Sequence, residues 1–150
     1  MLELRPASIA DSDRLLAWRN DPQTRAMSLS TDVISGEDHK RWMDMNVVYG
    51  YPTHIVMIGE IDEKPVGVVR FDASKKDVMS YTASITMAPA ERGKGLAHGV
   101  LDQACLWMGE FTLNATIRAS NVPSQKLFEK CGFEQIDAAH DLLRYRRKPL

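Results

Sequence analysis

The densest chemistry in the chain lies in Arg92-Gly93-Lys94-Gly95-Leu96-Ala97. Before it, Tyr81 to Met87 alternates as a strand would. After it, Leu96, Val100, Leu101, Ala104 and Met108 recur at helical spacing. A strand feeding a glycine loop that opens a helix is an anion site. The first-turn N–H groups have no intrahelical acceptor, and the helix dipole adds partial positive charge. Glycine lets the backbone approach a phosphate closely, and Arg92 and Lys94 can add charge-assisted hydrogen bonds. Two familiar nucleotide loops do not fit. His98 stands where a dinucleotide fingerprint needs its third glycine, and no Lys-Ser or Lys-Thr follows the glycines as in an NTPase phosphate loop. A glycine turn with no ligand is the plain alternative.

Other residues could move protons or bind polar groups. His39 and His54 titrate near neutrality. Tyr81 is a weak base, with an ordinary pKa of about 10, but could orient water or substrate. Arg19 and Asn20 close a helix, where a cation is locally favourable. Arg19 could equally meet an anionic acceptor. Cys105 and Cys131 have no C-x-x-C partner, so neither a metal site nor a disulfide framework is indicated.

The elements that must position these groups follow from the pattern. Leu2 to Pro6 reads as a strand and Asp11 to Asn20 as a helix, ending at Asn20-Asp21-Pro22. Residues 23 to 34 read as a polar, irregular loop. Ser35-Gly36-Glu37-Asp38 resembles a capping box opening a helix to about Asn46, with Trp42 and Met43 as core. His54 to Ile61 and Val66 to Asp72 form a hairpin through Asp62-Glu63-Lys64-Pro65. The helix after the glycine loop ends near Gly109, and Leu113 to Ala119 is a further strand. Asn121-Val122-Pro123-Ser124 opens a short helix that stops at Gly132. Phe133 to Ala138 and Leu142 to Arg146 close the chain as a hairpin. The order β-α-α-β-β-β-α-β-α-β-β points to an α+β sandwich rather than a doubly wound parallel sheet.

With 150 residues, 44% hydrophobic and 26% charged, the sequence suits one globular domain over residues 1–150. A net charge of −1 offers no global attraction to nucleic acid or to an anionic membrane. The basic cluster Arg144, Arg146, Arg147 and Lys148 is local, as on a solvated strand. No signal peptide or membrane-length apolar run is seen. A cytoplasmic protein with reduced thiols is the expectation.

Three separated stretches resemble the GNAT superfamily of N-acetyltransferases. They are Arg92-x-x-Gly95-x-Ala97 after Met87-x-Pro89; Lys64-Pro65-Val66-Gly67 entering Val68-Val69-Arg70-Phe71; and Asn121-x-x-Ser124-x-x-Leu127-Phe128-x-x-Cys131-Gly132-Phe133. The resemblance implies a mixed, mostly antiparallel sheet flanked by helices, with its fourth and fifth strands splayed. It implies acetyl-CoA as cosubstrate, no metal, and direct transfer of acetyl to a primary amine. Ile85, Met87, Arg92, Gly93, Lys94, Gly95, Leu96, Ala97, Asn121 and Ser124 would hold the cofactor. In the N-terminal third, Ala17-Trp18-Arg19-Asn20-Asp21-Pro22 and His39-x-x-Trp42 resemble the UDP-4-amino-sugar N-acetyltransferases of nonulosonic (pseudaminic) acid biosynthesis. That implies a nucleotide-linked amino sugar as acceptor, with Arg19, Asn20 and His39 as substrate contacts. The runner-up is protein N-terminal acetylation of the ribosomal-protein type, or antibiotic acetylation. A non-catalytic CoA-binding module is a third reading. Homodimers are frequent in the superfamily.

The resemblance also exposes a departure. Many members carry a tyrosine general acid where this chain has Phe128, which cannot donate a proton. Ser124 and Tyr145 are candidate substitutes. Tyr81 occupies the place of a glutamate base in some members, and His39 borders the expected acceptor pocket. Tyr81 and His39 are therefore the candidate catalytic residues. Cys131 reads as a buried, inert thiol.

Overall fold

The computed structural model describes residues 1–150. The elements are β1 (Leu2–Pro6), α1 (Ser12–Asn20), α2 (Pro22–Met27), α3 (Gly36–Met43), β2 (His54–Ile61), β3 (Lys64–Ala73), β4 (Ser80–Met87), α4 (Leu96–Trp107), β5 (Thr112–Arg118), α5 (Val122–Lys130), β6 (Glu134–Ala139) and β7 (Leu142–Arg147). All seven strands join one sheet in the order β1-β2-β3-β4-β5-β7-β6. Every pairing is antiparallel except β4 with β5. No helix is long and apolar enough to cross a membrane.

The expected element order holds with one addition. Residues 22–27 form α2, where the sequence reading placed irregular loop. Asp21-Pro22 ends one helix and starts the next. The Asp21 carboxylate accepts from the Thr24 N–H at 3.1 Å, and Pro22 fills the first helical position, where its missing N–H costs nothing. The Ser35 cap is present, with its hydroxyl accepting from the Asp38 N–H at 3.1 Å. The expected reciprocal bond is replaced, because the Asp38 carboxylate engages Arg41. The helix then continues through a π-helical turn, Asp44–Val48.

Side chains divide the sheet into two faces. Val69, Phe71, Val100, Leu101, Leu113, Phe128, Phe133 and Tyr145 belong to the larger core, on the face covered by α4 and α5. Leu15, Trp18, Met43, Val56, Ile58 and Val68 make the smaller core, on the face covered by α1 and α3. Period-two alternation along β2 serves both, with Ile55 and Met57 on one side and Val56 and Ile58 on the other. Buried Asp11 ties β1 to α1. It accepts from the Arg5 guanidinium at 2.8 and 2.7 Å and from the Ser8 N–H at 2.9 Å, and it also binds Arg14.

Between the two halves of the sheet lies the feature that makes a site. β4 and β5 pair only at Ser80↔Thr112, Tyr81↔Leu113 and Thr82↔Asn114. Beyond that, β4 stays with β3 as far as Met87↔Gly67, and β5 stays with β7 as far as Arg118↔Leu142. The strands part and leave a cleft.

Candidate active site

Backbone alternation fixes what the parted edge of β4 presents. The Ala88 N–H donates to Val66 O at 2.8 Å, and the Ser74 N–H donates to Ser80 O at 2.8 Å. In an antiparallel ladder the bonded pairs alternate, so even-numbered β4 residues turn their N–H and C=O toward β3. Ile85 and Met87 therefore turn theirs away from β3, toward the space β5 has left. These are the two strand residues expected to hold the cofactor.

The glycine loop adds more free donors. Gly93 and Gly95 have φ of +75° and +74°, and a Cβ would meet nothing within 4 Å at either position. Backbone conformation, not crowding, is what calls for glycine there. The N–H groups of Gly93, Lys94 and Gly95 find no acceptor within the chain. Gly93 and Gly95 line, together with Leu96 and Ala97 of the first turn of α4, a cleft of about 660 Å³. Asn121, Ser124, Lys126 and Lys130 line its far wall. The Asn121 side chain caps α5, accepting from the Ser124 N–H at 3.3 Å, so its cap role and its place in the cleft coexist.

Both loop cations have partners within the chain. Arg92 binds Asp21 at 2.7 Å, Thr24, and Gln23 at 3.4 Å, clasping the loop to α2. The Arg92 hydrogen bond is the main cause holding the Asp21 carboxyl below its ordinary range. Lys94 meets Glu91 at 3.1 Å, and Lys64 meets the same buried carboxylate at 2.7 Å. Both loop cations are thus neutralised within the chain. The Gly93 to Gly95 N–H groups stay free, and the cleft's Lys126 and Lys130 have no carboxylate partner. Sequence reasoning missed both. Their spacing of four on a helix opening with Asn121 was the available signal.

A second cavity, of about 770 Å³, lies on the α1/α3 face of the sheet. Its floor is Val68, Arg70 and Asp72 of β3 beside Thr82, Ser84 and Thr86 of β4. Arg19, Trp42 and the 28–34 segment wall it. Asn121, Ser124, Ile85 and Thr86 line both cavities, so the two meet where β4 is uncovered.

Arg118, also unforeseen, holds the wall in place. It donates to Ser28 O at 2.7 Å and Leu29 O at 3.2 Å, and it pairs with Asp141 at 3.0 Å. Asn20 does similar work. Its amide donates to Ile34 O at 2.8 Å and accepts from the Ile34 N–H at 2.7 Å. Both ends of the Asn20 amide are therefore used in anchoring the loop, in place of the expected substrate contact.

Two catalytic candidates are displaced by geometry. Tyr81 is buried at the closed end of the strand pair. Its hydroxyl donates to Pro52 O at 2.9 Å, and its ring packs edge-on against Phe111. It lines neither cavity. His39 is 3% exposed and lies behind the pocket wall. Its Nε2 is 2.8 Å from Ser12 O, an obligate acceptor, so Nε2 carries the proton and Nδ1 faces Arg19 at 3.5 Å. Burial above all, with Arg19's charge, holds the imidazole below its ordinary value. His39 is a neutral pin between α1 and α3. Tyr145 is also out of reach, fully buried with its hydroxyl on Glu129 at 3.3 Å. Ser124 remains in the cleft. Phe128 borders the second cavity, its ring edge-on to Phe133. His54 pairs with Asp72 at 2.8 Å. Cys105 and Cys131 are free and buried, and burial pushes their thiols up to about 12 and about 11.

Comparison with known proteins adds the family. The model of the acetyltransferase (GNAT) domain matches residues 1–134. Streptothricin acetyltransferase of Escherichia coli is 30% identical over 92 residues, 59% of this chain and 51% of that protein. The match thus spans about half the length of that curated relative. The spermidine N-acetyltransferase of Vibrio cholerae, solved with CoA and spermine, superposes with a TM-score of 0.83 at 16% identity, over 97% of this chain and 92% of that one. A protein solved as a candidate phosphinothricin N-acetyltransferase gives 0.81 at 25% identity, over 99% and 98%.

Two outcomes follow from the geometry. Gly95→Ala forces a side chain into the left-handed region at a cost of about 1–2 kcal/mol. Calorimetry should show acetyl-CoA binding weakened about tenfold; unchanged affinity would mean the loop is not the cofactor's anchor. For His39, the unfolded chain takes up its proton first. Its contribution to stability is therefore complete above about pH 6.5 and is lost as pH falls below that value toward the depressed folded one. Urea melts of the wild type should decline through that window more steeply than those of His39→Gln, and parallel curves would contradict a neutral, buried imidazole.

Proposed function

The chain belongs to the acetyltransferase (GNAT) domain family, and on that premise we propose that it is an acetyl-CoA-dependent N-acetyltransferase acting on a primary amine carried by a nucleotide-linked amino sugar. The observation that carries the transfer is the junction of the two cavities over Ile85 and Thr86. A donor entering along one and an acceptor entering along the other meet there, so no covalent relay through the protein is needed.

The cleft fits the cofactor by its own chemistry. Gly93 and Gly95, whose N–H groups are unpartnered, line the cleft and would receive a pyrophosphate, with Lys126 and Lys130 on the same cleft for further phosphate charge. Acetyl-CoA, when bound, supplies an activated acetyl thioester. The freed N–H groups of β4, at Ile85 and Met87, stand where negative charge on a carbonyl oxygen would develop, fixed in advance by the β3 ladder. Ser124 is one of the hydroxyls at the junction and could pass a proton, directly or through a water, to the departing thiolate. A thiol pKa near 8.5 makes that assistance modest in importance, which accommodates Phe128 in place of a tyrosine acid. No buried carboxylate or free histidine stands at the junction to serve as base. An amine that is neutral near physiological pH suits such a site, with water carrying the proton away.

The amino-sugar acceptor is supported by the resemblance of Ala17 to Pro22 and of His39-x-x-Trp42, and by a cavity large enough for more than a bare amine. A second reading, an antibiotic amine, is favoured by the likeness to streptothricin acetyltransferase.

Free thiol released from acetyl-CoA would be followed with UDP-linked 4-amino sugars, N-terminal peptides, streptothricin and spermidine as acceptors. Turnover led by the sugar nucleotides is expected. Turnover with streptothricin or peptides alone would overturn the acceptor assignment, and acetyl-CoA binding without thiol release from any amine would overturn transfer itself.

A further inference from the structure

We propose that Arg19 and Arg70, arranged around Trp42, form a subsite for an anionic group of the acceptor, a carboxylate or a phosphoryl. This deepens the acetyltransferase reading and rests on it for the identity of the cavity.

Arg19 is the less compensated of the two cations. Its guanidinium carbon lies 4.5 Å from the Trp42 ring centroid. Its one polar contact is the 3.5 Å approach to His39 Nδ1, and no carboxylate lies within ion-pair distance. A guanidinium has five N–H donors, so most of its hydrogen-bonding capacity is unspent. Arg70 stands beside it, with its guanidinium carbon 5.7 Å from the same centroid. Its Nε is 3.0 Å from Asp72 but makes no hydrogen bond there, and its terminal nitrogens have no partner either. Burial first, and Arg70's like charge second, push Arg19 down to about 10.

The carboxylates of the cavity do not resolve that repulsion. Asp72 is shared between His54 and Arg70, Asp38 is taken by Arg41, and Asp32 stands exposed on the loop. An anion received between the guanidinium groups would resolve it, because their planar forks match the paired oxygens of a carboxylate or phosphoryl.

The arrangement is held ready. His39 donates to Ser12 O and stacks on Trp42, with centroids 5.8 Å apart and planes 13° apart. Trp42 in turn faces Arg19 through the cation–π contact. His39 is thus a positioning residue for Arg19. The subsite also lies at a defined remove from the chemistry. Arg70 pairs with Ser84, and Val68, two residues along β3, pairs with Thr86 at the cavity junction. Two strand residues span roughly 7 Å. The acceptor is therefore an amine with an anionic group about that far away or farther, which disfavours polyamines.

The test uses UDP and L-glutamate, titrated calorimetrically into the CoA-loaded protein. Paired thiol-release assays compare a UDP-linked 4-amino sugar with its uncharged methyl glycoside, and L-glutamate with its amide. Binding of UDP points to a phosphoryl group and binding of L-glutamate to a carboxylate. Either should weaken about tenfold or more in Arg19→Gln and in Arg70→Gln, and the preference in kcat/KM for the charged acceptor should fall by a similar factor. His39→Gln should lower that preference by a smaller factor. Should a variant fold poorly, the wild type still decides, since its anion binding must weaken with added salt. Absence of binding by both anions, salt-independent binding, or equal binding by folded variants overturns the subsite. Anion binding without thiol release from any amine keeps the subsite and rejects the transfer reading; thiol release indifferent to acceptor charge does the reverse.

Discussion

The short parallel contact between β4 and β5 is the constraint on which the site depends. Three residue pairs hold the strands together at one end. Tyr81, Phe111, Leu113 and Met108 pack around that end, and the Asn114 amide donates to Ser80 Oγ at 2.6 Å. Each strand then follows its own half of the sheet. The opening separates the two halves of the sheet and strips Ile85 and Met87 of partners on that side. In most proteins such open backbone groups would be a liability. Here the β3 ladder holds them in place, and under the proposed transfer they are the polar groups the chemistry needs. The same constraint explains why Tyr81 cannot serve as a base, since its ring and hydroxyl belong to the packing that keeps the closed end shut.

Charge is distributed by a related logic. Cations near the loop are spent on joining elements: Arg92 fastens α2, and Lys64 and Lys94 converge on Glu91. The loop amides are left unpaired, and they would need no side-chain ordering to bind an anion. On the opposite face the balance is reversed. Arg19 is held in place with its donors largely unmatched, so the cavity is shaped for a ligand rather than for the stability of the free protein.

Much of this was legible in the sequence. The strand-to-glycine-loop-to-helix pattern and the Asn121 cap were readable, because caps and left-handed glycines are local effects with short signals. The splay was legible only through resemblance, since nothing in residues 83 to 87 or 115 to 118 announces that their strands part. Helix α2 was hidden because Asp21-Pro22 serves at once as stop and start. Side-chain partners were the least visible. That Asp21 would claim Arg92, that Ile34 would occupy Asn20, and that Ser12 would hold His39 are contacts between segments 14 to 71 residues apart. They were set by packing that no local pattern encodes. Arg70 reads in sequence as one polar residue of an alternating strand, and only the register beside Trp42 and Arg19 reveals its place.

The account turns on the free N–H groups of the parted strand. Amide hydrogen exchange resolved at Ile85 and Met87, with and without acetyl-CoA, tests it most directly. The structure predicts fast exchange at both in the free protein, between protected even-numbered neighbours, and strong protection when the cofactor binds. Slow exchange in the free protein, or no change on binding, would show that these groups are already paired or lie away from the cofactor, and would contradict the arrangement.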